Sequence, residues 1–243
     1  NLQSLKPLLY IADLWFAAAW EAFGDHEIRG VAEPVAGSLA VRLLQRRTPP
    51  MAKPAVVIVD MLKGFFKGDP VPGPLNSGRL IEANRALIEV AREAGVAVIF
   101  IKDNFWPEEV DIDIHFKIFG PHCIVGTPDA EVLDALDPRP GDFQIRKKRY
   151  SGFQGTRLDL VLRELGVTEL YFGGTWTDAC VQHTVMDAWS LCYLTTVVED
   201  AVSSPSEEGH RSALSYMRRF YGTRVVSLED AVAALRGEAV AAF

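Results

Sequence analysis

The feature that most constrains this chain is a regular exchange of two kinds of segment from residue 55 to residue 236. Runs such as AVVIV at 55–59 and VAVIFI at 96–101 are apolar at every position. A strand with one wet face alternates apolar and polar residues, so these runs fit strands covered on both sides. Strands are expected at 55–60, 97–102, 143–146, 168–173, 193–199 and 224–227, with helices at 77–95, 128–136, 156–165, 179–190, 206–219 and 228–236. Capping residues precede several of the helices: Asn76 or Ser77, Thr156, Thr177 or Asp178, and Ser204 or Ser206. Strand–helix alternation of this kind predicts an α/β fold with a mainly parallel six-stranded sheet and helices on both faces.

The pattern begins after RRTPPMAKP, 46–54, where the composition changes. Residues 1–50 are expected to form a helical N-terminal extension and 51–243 the α/β domain. The most apolar stretch of the extension, LLYIADLWFAAAW at 8–20, is shorter than a membrane-spanning helix and carries Asp13. No membrane segment is therefore expected. A net charge of −7 argues against a nucleic-acid surface. Three cysteines, at 123, 180 and 192, make no disulfide framework and fit a reducing, cytoplasmic setting. Taken singly, each reads first as a small buried hydrophobe.

Open α/β sheets bind ligands at the carboxyl ends of their strands. Asp60, Asp103, Lys147 and the turn GGTWTDAC at 173–180 all fall at or just beyond expected strand ends. Four strands thus send polar or reactive groups to one rim. Cys180 stands where a helix should start, and unpaired N–H groups there would lower a thiol pKa and hold an oxyanion. Asp60, after four apolar residues, reads as a desolvated carboxylate fit to be a base, or as a plain turn cap. Lys147, in the basic run 147–149, could steady both charges or simply be solvated. His183, three residues past Cys180, is a rival base on the same helix face. Asp103, His122 and His115 could supply part of a metal site, although nothing in their spacing demands one.

Several of these segments together resemble the isochorismatase-like cysteine hydrolases, a superfamily that includes nicotinamidases and N-carbamoylsarcosine amidases. VVIVDMLKGFF (56–66) is similar to the family's first strand and its aspartate. KKRYSGFQGTRL (147–158) resembles the segment with its lysine, and GGTWTDACVQHTVMDA (173–188) its nucleophile turn. VVEDAVSS with SEEGHRSAL resembles the closing strand and helix. The likeness spans about 55–230.

The resemblance implies a three-layer α/β/α sandwich, commonly oligomeric, so that a homo-oligomer is expected. It implies Asp60 as base, Lys147 rather than Lys148 as the charge-stabilising residue, and Cys180 as nucleophile. It further implies a cis peptide at Thr175–Trp176, with the N–H groups of Trp176 and Cys180 forming an oxyanion hole. Phe65, Asp103, Phe105, His122 and Trp176 are then expected around the substrate.

There are two departures. Leu62 replaces the usual glutamine after Met61, and Phe105 stands where nicotinamidases place the first histidine of a metal site. A site reduced to Asp103 and His122 is expected to bind a divalent metal such as zinc poorly, so no cofactor is expected to be required. The expected activity is that of a cysteine amidohydrolase, cleaving a small carboxamide or carbamoyl compound through a thioester. The alternatives are an isochorismatase-type hydrolase that does not use a cysteine, and a silent binding protein of the same fold.

Overall fold

A computed structural model describes residues 52–238; the expected helical extension lies outside them. The six strands are β1 (Pro54–Val59), β2 (Ala97–Asp103), β3 (Phe143–Lys147), β4 (Glu169–Thr175), β5 (Leu194–Ser203) and β6 (Arg224–Val226). They form one sheet in the order β3-β2-β1-β4-β5-β6, and every pairing is parallel. The helices are α1 (Ser77–Glu93), the single turn α2 (Phe116–Phe119), α3 (Leu158–Glu164), α4 (Gln182–Ser190), α5 (Glu207–Tyr221) and α6 (Leu228–Leu235). No helix among the described residues is long and apolar enough to cross a membrane.

The apolar runs form strands because they have a core to fill on each side. Along β1, Val56 and Ile58 pack with Leu80, Leu87 and Ile88 of α1 and Ala231 and Leu235 of α6. The alternate residues Ala55, Val57 and Val59 enter a second core with α3, α4 and α5, through Leu162, Val185 and Met217 among others. Burying each such Val, Leu or Ile fully is worth roughly 1.5–3 kcal/mol. Helices therefore flank the sheet on both faces.

Local chemistry sets the helix starts. The Ser206 hydroxyl accepts from Gly209 N at the head of α5, and Ser227 does the same for Asp230 N at α6. Thr156 Oγ1 accepts from Leu158 N at the start of α3. Asn76 adopts a left-handed backbone at the head of α1 and makes no side-chain cap.

Two expectations need correction. The segment 128–136 is not a helix but two 3-10 turns, Pro128–Ala130 and Asp134–Leu136. Between them Val132 makes an antiparallel bridge to Leu62, and that extended pairing interrupts the helical course. Cys192 is not buried: it lies exposed, with φ 67°, in the turn before β5, whereas Cys123 is buried.

Candidate active site

The order β3-β2-β1-β4 brings four separate chain segments side by side at the carboxyl ends of their strands. Lys147 ends β3 and is paired in register with Asp103, which ends β2. Asp60 follows β1 directly, and its left-handed φ of 50° ends the strand's extended course. Its amide still donates to Ile101 O, and its Oδ1 accepts from Asp103 N at 2.8 Å. Gly174 lies opposite Val59 in β4, with φ 111° and so little clearance that a Cβ would stand 2.0 Å from Val59 O. Glycine is therefore required there, and it lets the turn that carries Cys180 run tight against the end of β1.

The Thr175–Trp176 peptide is cis. Cys180 follows in a π-helical turn, Thr177–Val181, that leads into α4. The turn is braced from below: Thr177 Oγ1 bonds His210 Nδ1 at 2.9 Å, and Ser204 Oγ donates to Asp178 Oδ1 at 2.6 Å.

At the centre of the cluster is the Lys147 ammonium. It lies 2.8 Å from Asp103 Oδ1, 2.8 Å from Asp60 Oδ2 and 3.4 Å from Cys180 Sγ. The Asp60 contact is an ion pair rather than a well-aligned hydrogen bond. All four side chains are buried.

Burial opposes the charge on Lys147, but Asp103 and Asp60 outweigh it and hold its pKa well above that of an ordinary lysine. Burial pushes Asp60 up to about 6 against the pull of Lys147. The Cys180 thiol is also pushed up, by burial first and by both carboxylates, with Lys147 opposing. A lowered thiol pKa at the helix start was expected. In the fold, burial dominates, and the Cys180 thiol rests beside the Asp60 carboxylate.

His183 makes no hydrogen bond to Cys180 Sγ; its Nδ1 donates to Ala179 O at 2.8 Å. The basic run also resolves. Lys148 pairs with Glu109 and Arg149 with Asp113, both at the surface, while Lys147 points inward.

A cavity of about 10 Å³, roughly the space of one water, opens beside Cys180. Of the expected lining residues, Phe65, Asp103, His122 and Trp176 are present, joined by Val71, His115, Phe119, Tyr150 and Ala179. Phe105 is not in the lining. It is fully buried behind it, stacked on His115 at 5.4 Å and edge-on to His122 at 5.8 Å. Phe119 comes from the 104–122 segment, which has no strong periodicity but was expected near the pocket. A wider cleft of about 770 Å³ opens between α1, β5 and the starts of α5 and α6, but neither cysteine nor lysine lines it.

Two groups of potential metal ligands occur among the described residues. In the first, Asp60, Asp103 and Cys180, the positive charge between the ligands is already supplied by the Lys147 ammonium. The second, Asp103, His115 and His122, fits a metal better. His122 Nδ1 donates to Gly120 O at 2.8 Å, and its Nε2 is buried without a partner. Burial foremost holds the pKa of His115 down, keeping it neutral. The histidine that Phe105 displaces is thus partly replaced by His115, twelve residues on from Asp103.

The parallel sheet thus gathers Asp60, Asp103, Lys147 and the turn that carries Cys180 at one rim. The isochorismatase domain matches residues 54–230, and the chain belongs to that family. It is 31% identical to the ureidoacrylate amidohydrolase RutB of Caulobacter segnis, over 69% of this chain and 80% of that protein. Among solved structures it is similar to N-carbamoylsarcosine amidase from Thermoplasma acidophilum, with 32% identity and a TM-score of 0.63, covering 73% of this chain and 97% of that one. It is also similar to a pyrazinamidase of Pyrococcus horikoshii solved in complex with zinc, with 29% identity and a TM-score of 0.64, over 72% and 99% of the two chains.

Proposed function

We propose that this chain is a cysteine amidohydrolase that cleaves a small carbamoyl or carboxamide compound through a thioester. It is a hydrolase of non-peptide C–N bonds. The observation that carries the mechanism is the placement of one buried ammonium against Asp60, Asp103 and the Cys180 sulfur. Asp60 takes the proton of the Cys180 thiol as the sulfur attacks the substrate carbonyl carbon, forming the C–S bond. Lys147 offsets the negative charge that passes between carboxylate and sulfur. The backbone N–H groups of Trp176 and Cys180 hold the oxyanion. On collapse the C–N bond breaks, and Asp60 returns the proton to the departing nitrogen, which leaves as ammonia. Asp60 then deprotonates a water, the water displaces the sulfur from the thioester, and the thiol regains its proton.

The names of two relatives support a ureido or N-carbamoyl substrate, and the pyrazinamidase keeps a ring carboxamide in the test. Asp103, His115 and His122 would hold a divalent metal, and when bound it would supply a Lewis-acid contact for a polar substrate atom. Its ligands lie beside the nucleophile's wall, and none of the proton transfers above needs it.

The test is ammonia release from ureido acids, N-carbamoyl amino acids, nicotinamide and pyrazinamide. The wild-type chain is expected to turn over at least one of them. Cys180→Ala is expected to lower that rate by several orders of magnitude, in keeping with loss of a covalent nucleophile. Full activity in Cys180→Ala would sink the assignment.

A further inference from the structure

The space beside Cys180 is too small for any substrate of the proposed reaction. It amounts to about 10 Å³, room for one water, and Cys180 itself is 5% exposed. Even the smallest carboxamide or urea is larger than a water molecule. Some part of the wall must therefore move before a carbonyl carbon can reach the sulfur.

The walls differ in how firmly they are held. Trp176, Ala179 and Cys180 belong to the turn braced by Ser204 and His210. Phe65 and Val71 are part of the buried core that includes α1. Asp103 is paired within the sheet, and Tyr150 lies close to Gly152, whose amide donates to Thr184 Oγ1 in α4.

His115 and Phe119 come from residues 106–121, which are attached differently. The two ends of that stretch are pinned together: Phe105 N donates to Cys123 O, and Val125 N to Phe105 O. Between them, each backbone amide that donates a hydrogen bond does so within the stretch, as Gly120 N does to Phe116 O. Trp106, Ile112, Ile114 and Ile118 face solvent, and of its apolar side chains only Phe116 is buried. A loop with joined ends, self-contained bonding and little buried apolar surface opens at low cost. Two ion pairs tie its polar side to the domain: Glu109 with Lys148, and Asp113 with Arg149 at 3.1 Å. Both bases directly follow Lys147, the last residue of β3.

We infer that residues 106–121 form a lid over Cys180, hinged at Phe105 and Ile124 and latched by the Glu109–Lys148 and Asp113–Arg149 ion pairs. Opening carries His115 and Phe119 away from the cavity and admits the substrate. Closing shuts water out again. Exposed ion pairs are individually weak, which suits a latch that must release at every turnover. The inference takes from the amidohydrolase reading only that Cys180 is the residue to be reached.

Access is measured by alkylating Cys180 with iodoacetamide, a small neutral reagent, in a Cys192→Ser chain. Mass spectrometry follows the peptide that carries Cys180. Lys148→Gln with Arg149→Gln removes both latches and leaves the hydrogen bonds within the lid in place. The pair of substitutions is expected to speed alkylation by about threefold or more, as two exposed ion pairs allow. Loss of nearby cations makes a thiol harder to ionise, so a faster rate reports access rather than acidity. Hydrogen exchange should quicken across 106–121 and stay unchanged in β1 and β4. An unchanged or slower alkylation rate overturns the inference, and so does exchange that quickens throughout the domain. If the variant folds poorly, salt serves on the Cys192→Ser chain alone. Raising it from about 0.05 M to about 0.5 M screens surface pairs and should speed alkylation, and no change would overturn the lid. None of these measurements needs turnover. A chain that hydrolyses nothing would sink the amidohydrolase reading and leave the lid standing.

Discussion

In the proposed mechanism two demands on Asp60 pull against each other. As the proposed base it must be ionised, yet burial keeps its pKa at about 6. kcat/KM is therefore expected to fall as pH drops through about 6. Stability should run the other way. Between the ordinary 3.8 and about 6, the folded chain holds a proton that the unfolded chain has released. The contribution of this group is present in full below 3.8 and is lost as pH rises through about 6. Thermal melts of the wild-type chain and Asp60→Asn across that window check the sign. The advantage of the wild type over the variant should shrink as pH rises, and an advantage that grew would contradict the assignment. The position of Asp60 was legible in the sequence, because a carboxylate closing an all-apolar run has few places to go. The high pKa of Cys180 was not, because a helix start suggests a stabilised thiolate and says nothing of how much water burial removes.

Among the elements, β4 and its turn carry the tightest constraint. Gly174 combines φ 111° with an approach to Val59 that leaves no room for a methyl group. Gly174→Ala is expected to cost well over 2 kcal/mol, since both backbone conformation and packing oppose it. Chemical denaturation would measure the loss, and a cost under about 1 kcal/mol would mean the strand can slide away from β1. Strands were readable because double-sided burial demands unbroken apolar runs, which few other structures need. The helix expected at 128–136 failed for the converse reason. Its apolar spacing suits a helix, but Pro128 permits a turn and Val132 finds a strand partner in Leu62, more than sixty residues earlier. A contact that distant leaves no local trace. His115 was hard to place for the same reason, since only the folding of the 104–122 segment sets it beside Asp103 and His122.

At the scale of the molecule, the metal question turns on the stretch after β2 folding back to the end of that strand. Asp103, His115 and His122 converge, but Asp103 also serves Lys147, and Phe105 occupies the place of a fourth ligand. Phe105→His is therefore expected to tighten zinc binding by about tenfold or more, since structural and catalytic zinc sites favour three or four protein ligands. Competition against a chromophoric chelator reads this directly. Equal affinity in both chains would mean that the buried position behind His115 cannot reach the ion.

The strand order described above has a further consequence. Asp60, Asp103 and Lys147 lie in the first part of the domain, and Cys180 arrives only with β4. During synthesis the residues proposed for acid–base work therefore emerge before the proposed nucleophile. A polypeptide that stops short of β4 has carboxylates and an ammonium but nothing to acylate. A fragment that starts after β3 has a thiol with no base to draw its proton. Turnover thus reports on whether two halves of one polypeptide have come together, and no incomplete product can hydrolyse anything by this route.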